Sequence, residues 1–146
     1  METARDDDTP ILLFTARNPT RVLVIDPQDD ARTQLVASLR QTGAEVVSLA
    51  TPAGATASIL SHRIDVLILD ASVDGFVDRF VAVLRQNPLL DQVAILVTIN
   101  GLAGGFDEVV QSMGADGFVS KTANAAQLAP VLRSARAHAR KRARGR

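Results

Sequence analysis

From residue 21 onward the chain repeats one pattern: a short apolar run, a turn, then a longer stretch whose apolar positions recur three and four apart. The runs at 22–25, 66–69 and 93–98 lack the polar alternation of a half-exposed strand, so they read as strands covered on both faces. Residues 45–49 and Phe118-Val119 complete a set of five strands.

The stretches between the strands read as amphipathic helices. Asp29–Gln41 turns Leu35, Val36 and Leu39 inward and stops at Gly43. Residues 52–61 form a small helix opened by Thr51 as N-cap, with Pro52 at the first helical position. Residues 76–86 carry Phe76, Phe80, Val83 and Leu84 on an apolar stripe and are closed by Asn87-Pro88. A loop at 101–105 leads into a short helix at 106–113, and a last helix begins at Asn124. Strands alternating with helices imply an α/β fold, a doubly wound five-stranded parallel sheet with helices on both faces. Right-handed crossovers bring every strand's carboxyl end to one rim, where open α/β sheets bind ligands.

Four strand ends carry polar residues that an interior holds only with partners: Asp26, Asp70, Thr98 and Lys121. Each alone reads as a cap or a solvated turn residue. All four on one rim point to a shared site.

Composition narrows the picture further. With 146 residues the chain has the length of one domain, here divided into an N-terminal extension at 1–20, a body at 21–136 and a basic tail at 137–146. The extension is solvated around Asp6-Asp7-Asp8, and the apolar patch Ile11-Leu-Leu-Phe14 is left open between an extra strand, a docked segment and a partner contact. A hairpin from that patch is disfavoured, because the next strand is expected inside the sheet with both edges paired. There is no cysteine, which removes disulfides and thiolate metal sites and makes a cytoplasmic location the simpler expectation. No apolar run approaches the roughly 20 residues that cross a bilayer. The zero net charge conceals an asymmetry, because residues 131–146 hold seven of the 16 basic residues and none of the 16 acidic ones.

Four motifs, Val22-Leu-Val-Ile-Asp26, Asp65-Val-Leu-Ile-Leu-Asp70, Val93-Ala-Ile-Leu-Val-Thr98 and Gly114-Ala-Asp-Gly-Phe-Val-Ser-Lys121, stand in an order and spacing that resembles the receiver domains of two-component response regulators. The resemblance covers about residues 21 to 136. It implies a flavodoxin-like receiver fold in which Asp70 is the phosphoacceptor for a histidine kinase or a small phosphodonor. It further implies that Thr98 bonds the phosphoryl oxygens, Lys121 pairs with them, and Phe118 moves with the switch. Transfer onto a carboxylate crowds negative charge, and the family meets this with Mg2+. The resemblance places that metal on Asp26, Asp70 and the backbone carbonyl of Ser72.

The sequence also departs from the family pattern around that pocket. Pro27 stands where the second acid, usually a direct metal ligand, is expected, and proline offers no side-chain oxygen. Asp74-Gly75 come early after Asp70, which shifts the Ser72 carbonyl. Ile99 replaces a small residue after Thr98 and crowds the route to Asp70. Thr122 replaces the family's proline; a cis bond before a non-proline residue costs about 3 kcal/mol, so the loop is expected trans and Lys121 displaced. A receiver-like, pseudo-receiver module with weak or absent magnesium-dependent phosphorylation at Asp70, acting through protein contacts and not as an enzyme, is the leading expectation. A working response regulator phosphorylated at Asp70 is the alternative.

Other readings fit less well. A haloacid-dehalogenase-type phosphatase needs an acid where Ser72 stands. A nucleotide-binding reading finds the glycines of 101–105 wrongly spaced, and an FMN site finds no Trp or Tyr to stack on the ring. His62 and His138 read as surface residues. The basic tail either extends the last helix or frays, and offers a weak route to nucleic acid, an anionic membrane or an acidic partner. Expected partners are a histidine kinase or downstream effector, with a homodimer also open. In the family the exchanged face corresponds to residues 106–136.

Overall fold

The computed structural model describes residues 18–71, 76–99 and 114–145, with the backbone alone at 76–78. The expectations for residues 11–14, for Ser72, for Asp74-Gly75 and for the loop and helix at 101–113 lie outside these residues, as does the side chain of Phe76.

Five parallel strands form one sheet in the order β2-β1-β3-β4-β5: β1 is Arg21–Ile25, β2 Glu45–Leu49, β3 Val66–Asp70, β4 Ala94–Ile99 and β5 Gly117–Ser120. β1 pairs with β2 on one edge and β3 on the other, so it has no edge left for a hairpin partner. The described helices are α1 at Asp29–Gln41, α2 at Ala55–Ser61, α3 at Phe76–Arg85 and α4 at Ala125–Arg144. No described helix is long and apolar enough to cross a membrane.

The period of two along a strand sorts the core into two layers. Val22, Val24, Val66, Ile68, Ala94 and Leu96 face α1 and α4, meeting Leu35, Leu39, Leu128, Leu132, Ala135 and Ala139. Leu23, Ile25, Leu67, Leu69, Ile95 and Val97 face the other way, packed with Ala55 and Ile59 of α2 and with Val81 and Leu84 of α3. Covering on both faces is why β1, β3 and β4 show no polar alternation.

Three expectations about helices are corrected. The second helix begins at Ala55 rather than Pro52: Ala55 N–H bonds the Pro52 carbonyl at 3.0 Å, and Gly54 takes a left-handed conformation (φ 78°) that an ongoing helix excludes. Thr51 makes no cap. On α3 the buried positions among the described side chains are Val81 and Leu84, three apart, whereas Val83 lies 60 % exposed on the far side. That helix ends at Arg85, and Asn87 caps a short 3₁₀ turn at Pro88–Leu90.

The last helix opens with a capping box, in which Asn124 Oδ1 accepts the Gln127 N–H and Gln127 Oε1 accepts the Asn124 N–H, each at 2.9 Å. It then runs unbroken across the boundary expected at 136/137. Leu128, Leu132, Ala135 and Ala139 keep its apolar stripe against the sheet, and Ala139 is fully buried. The basic segment is therefore helical through Arg144.

Candidate functional site

Asp26 follows β1, Asp70 ends β3, Thr98 lies in β4 opposite Asp70, and Lys121 follows β5, so parallel pairing delivers all four to one rim. They are also the four polar or charged residues that count as buried among those described, each no more than 6 % exposed. Burying charge without partners is costly, so their mutual arrangement is what makes them tolerable.

The ammonium of Lys121 is the centre of that arrangement. Its Nζ lies 3.0 Å from Asp70 Oδ1 and 3.3 Å from Asp26 Oδ2, and donates to Gln28 Oε1 at 3.1 Å. Asp26 Oδ1 accepts the backbone N–H of Gln28 at 2.9 Å, while Asp26 Oδ2 is buried and receives no hydrogen bond. Two carboxylates thus face one ammonium, which leaves a formal charge of −1 in a buried cluster. Lys121 is not displaced: its own N–H bonds the Ile99 carbonyl at 3.2 Å, which holds the start of the β5–α4 loop against β4. The described backbone contains no cis peptide, as expected at Lys121-Thr122.

Thr98 stands opposite Asp70 in the register, and its hydroxyl donates to the Leu69 carbonyl at 3.4 Å, a weak bond. Phe118 is half-buried and packs against the core layer that α2 and α3 cover. Ile99 is buried.

Whether these residues fit Mg2+ turns on oxygen donors. Mg2+ needs six oxygens near 2.0–2.1 Å in octahedral array. At this rim the buried oxygen that receives no hydrogen bond, Asp26 Oδ2, is faced by the Lys121 ammonium, and so is Asp70 Oδ1. Pro27 contributes no oxygen from its side chain, and Asp29 and Asp30 lie exposed in the first turn of α1, where Asp29 pairs with Arg32 at 2.6 Å. No group of three or more His, Cys, Asp or Glu suited to a metal occurs among the described residues. As arranged, the described side chains do not fit a divalent cation, because the lysine takes the position between the two acids.

Several solved structures share this fold. A putative response regulator from Chloroflexus aurantiacus is 24 % identical, with 82 % of this chain and 99 % of that chain covered at a TM-score of 0.70. The chemotaxis response regulator CheY4 of Vibrio cholerae is 24 % identical, with 80 % and 98 % covered at 0.68. The signal receiver domain of a DNA-binding response regulator from Colwellia psychrerythraea is 17 % identical, with 78 % and 95 % covered at 0.64. This is the receiver fold. No family model matches the chain, and no curated protein does. The doubly wound parallel sheet expected from the strand and helix pattern, and the flavodoxin-like receiver fold that the resemblance implies, are thereby borne out.

Two features of the receiver fold as built here escaped the sequence. One is Gln28, whose amide oxygen completes the set around Lys121; its place just after Pro27, two residues past Asp26, was the available signal. The other lies at the opposite, amino end of the strands. Asp116, with a fully buried side chain, accepts from Arg85 at 2.9 Å and from the Ile95 N–H at 2.8 Å through Oδ2, and bonds Arg142 and His138 through Oδ1. His138 is exposed, as expected of a surface residue, and has its Nδ1 2.6 Å from that carboxylate. Arg142 also reaches the Asp91 carbonyl at 2.8 Å.

Proposed function

We propose that the chain is a receiver-like signalling module that acts by contact with other proteins, and that Mg2+-dependent phosphorylation of Asp70 is weak or absent in it. The observation that carries this reading is the Lys121 ammonium, held by Asp26, Asp70 and Gln28 with both acids engaged. Breaking a buried pair of this kind costs several kcal/mol, so an incoming cation would compete with an interaction already in place. The protein is then not an enzyme, and its rim is held in one state. Its partners are a histidine kinase or a downstream effector, met through the face that corresponds to residues 106–136, of which 106–113 lie outside the described residues; self-association is a further use of that face.

A second reading is favoured by one observation. Asp70, Thr98 and Lys121 still converge, which is the set that a phosphoacceptor needs, with lysine and threonine aimed at developing negative charge. In that case a histidine kinase phosphorylates Asp70, and Asp26 and Asp70 would hold Mg2+ only with Lys121 turned away from them.

Incubation with Mg2+ and acetyl phosphate or phosphoramidate, followed by intact-mass measurement, separates the two. No mass gain is expected. A gain of one phosphoryl group that is lost in Asp70→Asn overturns the first reading in favour of the second.

A further inference from the structure

On α4, Arg133, Arg136, Arg140 and Arg144 are spaced three, four and four apart, so they share one helix face. At 1.5 Å per residue the row is about 16 Å long. The apolar stripe of the helix points elsewhere, into the core.

The first three of these arginines do not stand on a convex surface. They line a groove of about 640 Å³ together with Ala44, Ala129 and Leu132. Arg136 is fixed there by Thr20 at 3.0 Å and Asp65 at 3.7 Å. Arg133, Arg140 and Arg144 are exposed and have no acidic partner among the described residues. The groove therefore combines uncommitted guanidinium groups, a positioned one and an apolar lining.

We propose that this groove is a docking site for an acidic segment of a partner protein that also carries an aliphatic side chain. Guanidinium groups grip carboxylates in two-point fashion, and the apolar lining offers an aliphatic anchor a place out of water. The volume lies in the range of pockets that bury a small ligand, enough for one or two side chains. A phosphate backbone needs charge alone and makes no use of an apolar concavity. The chain also has no Trp or Tyr on which bases would stack. A membrane surface fits worse, because the helix has spent its apolar face on the core and keeps none to insert. The proposal deepens the protein-contact reading and rests on it only in requiring a protein partner.

The test is panning of a random peptide display library, about 12 residues long, on the full chain. Enriched peptides are then synthesised and measured by fluorescence anisotropy beside a labelled DNA duplex. Enrichment of sequences with several Asp or Glu and at least one Leu, Ile or Val is expected. Their affinity falls about tenfold or more in R133E/R140E, and stays unchanged in K141E, which lies off the row. Arg133→Gln/Arg140→Gln serves as a milder variant, and thermal melting confirms that each is folded. Absence of enrichment, enrichment without acidic bias, indifference to both arginine variants, or tighter binding of the duplex through the same arginines overturns the proposal. Phosphorylation of Asp70 leaves these readouts in place, so failure of the reading at the rim and failure of the groove are seen separately.

Discussion

The two ends of the sheet each bury carboxylate, and they solve the problem in opposite ways. At the carboxyl rim, Asp26 and Asp70 share the single ammonium of Lys121. At the amino end, Asp116 alone is met by Arg85, Arg142, His138 and a backbone N–H. Among the described residues the rim holds one cation for two acids, and the amino end holds two guanidinium groups for one acid. A cluster short of charge has something to gain from an incoming cation or from losing an acid, whereas a saturated one only loses by change. Reactivity belongs to the first and anchoring to the second.

Asp116 is where the contrast between the two ends is largest. Asp116→Ala strands two guanidinium groups and is expected to cost about 3–5 kcal/mol in urea unfolding. A cost below about 1 kcal/mol would show that the cluster anchors nothing. Lys121→Met removes the sole ammonium from two buried acids and is expected to cost about 3 kcal/mol by the same measurement. Arg142→Ala loses charge-assisted bonds to Asp116 and to the Asp91 carbonyl, with an expected cost of about 2 kcal/mol. Amide exchange in the last two turns of α4 should quicken with it.

The smallest effect is expected at the rim itself. In Asp70→Asn, Oδ1 still accepts from Lys121 and the repulsion with Asp26 is gone, so stability should change by less than about 1 kcal/mol. If this variant proves as damaging as Asp116→Ala, the rim is a structural cluster like its counterpart and the contrast fails.

The sheet was legible because its signal is local: four or five apolar residues in a row announce a strand covered on both sides. Asp70, Thr98 and Lys121 were legible because a polar residue ending such a run has nowhere else to point. What the sequence concealed depended on distance or on competition between local signals. Asp116 draws its arginines from 31 residues upstream and 26 downstream, and no pattern ties those positions together. Thr51-Pro52 signals a helix start, and the left-handed backbone at Gly54 moves that start to Ala55. The arginines of the tail drew attention to charge, although Leu128, Leu132, Ala135 and Ala139 repeat at four, three and four and mark a docked face. Lys121 was expected to move with the loss of the family's proline; its pairing with two acids holds it in place instead.

The unbroken last helix has a mechanical side as well. A dye attached at Arg144 would sit on a stiff rod bolted to the sheet through Arg142, and its polarised emission should decay with the tumbling time of the whole particle. Unfastening that bolt at Asp116 should free the rod's end and add a fast component to the decay.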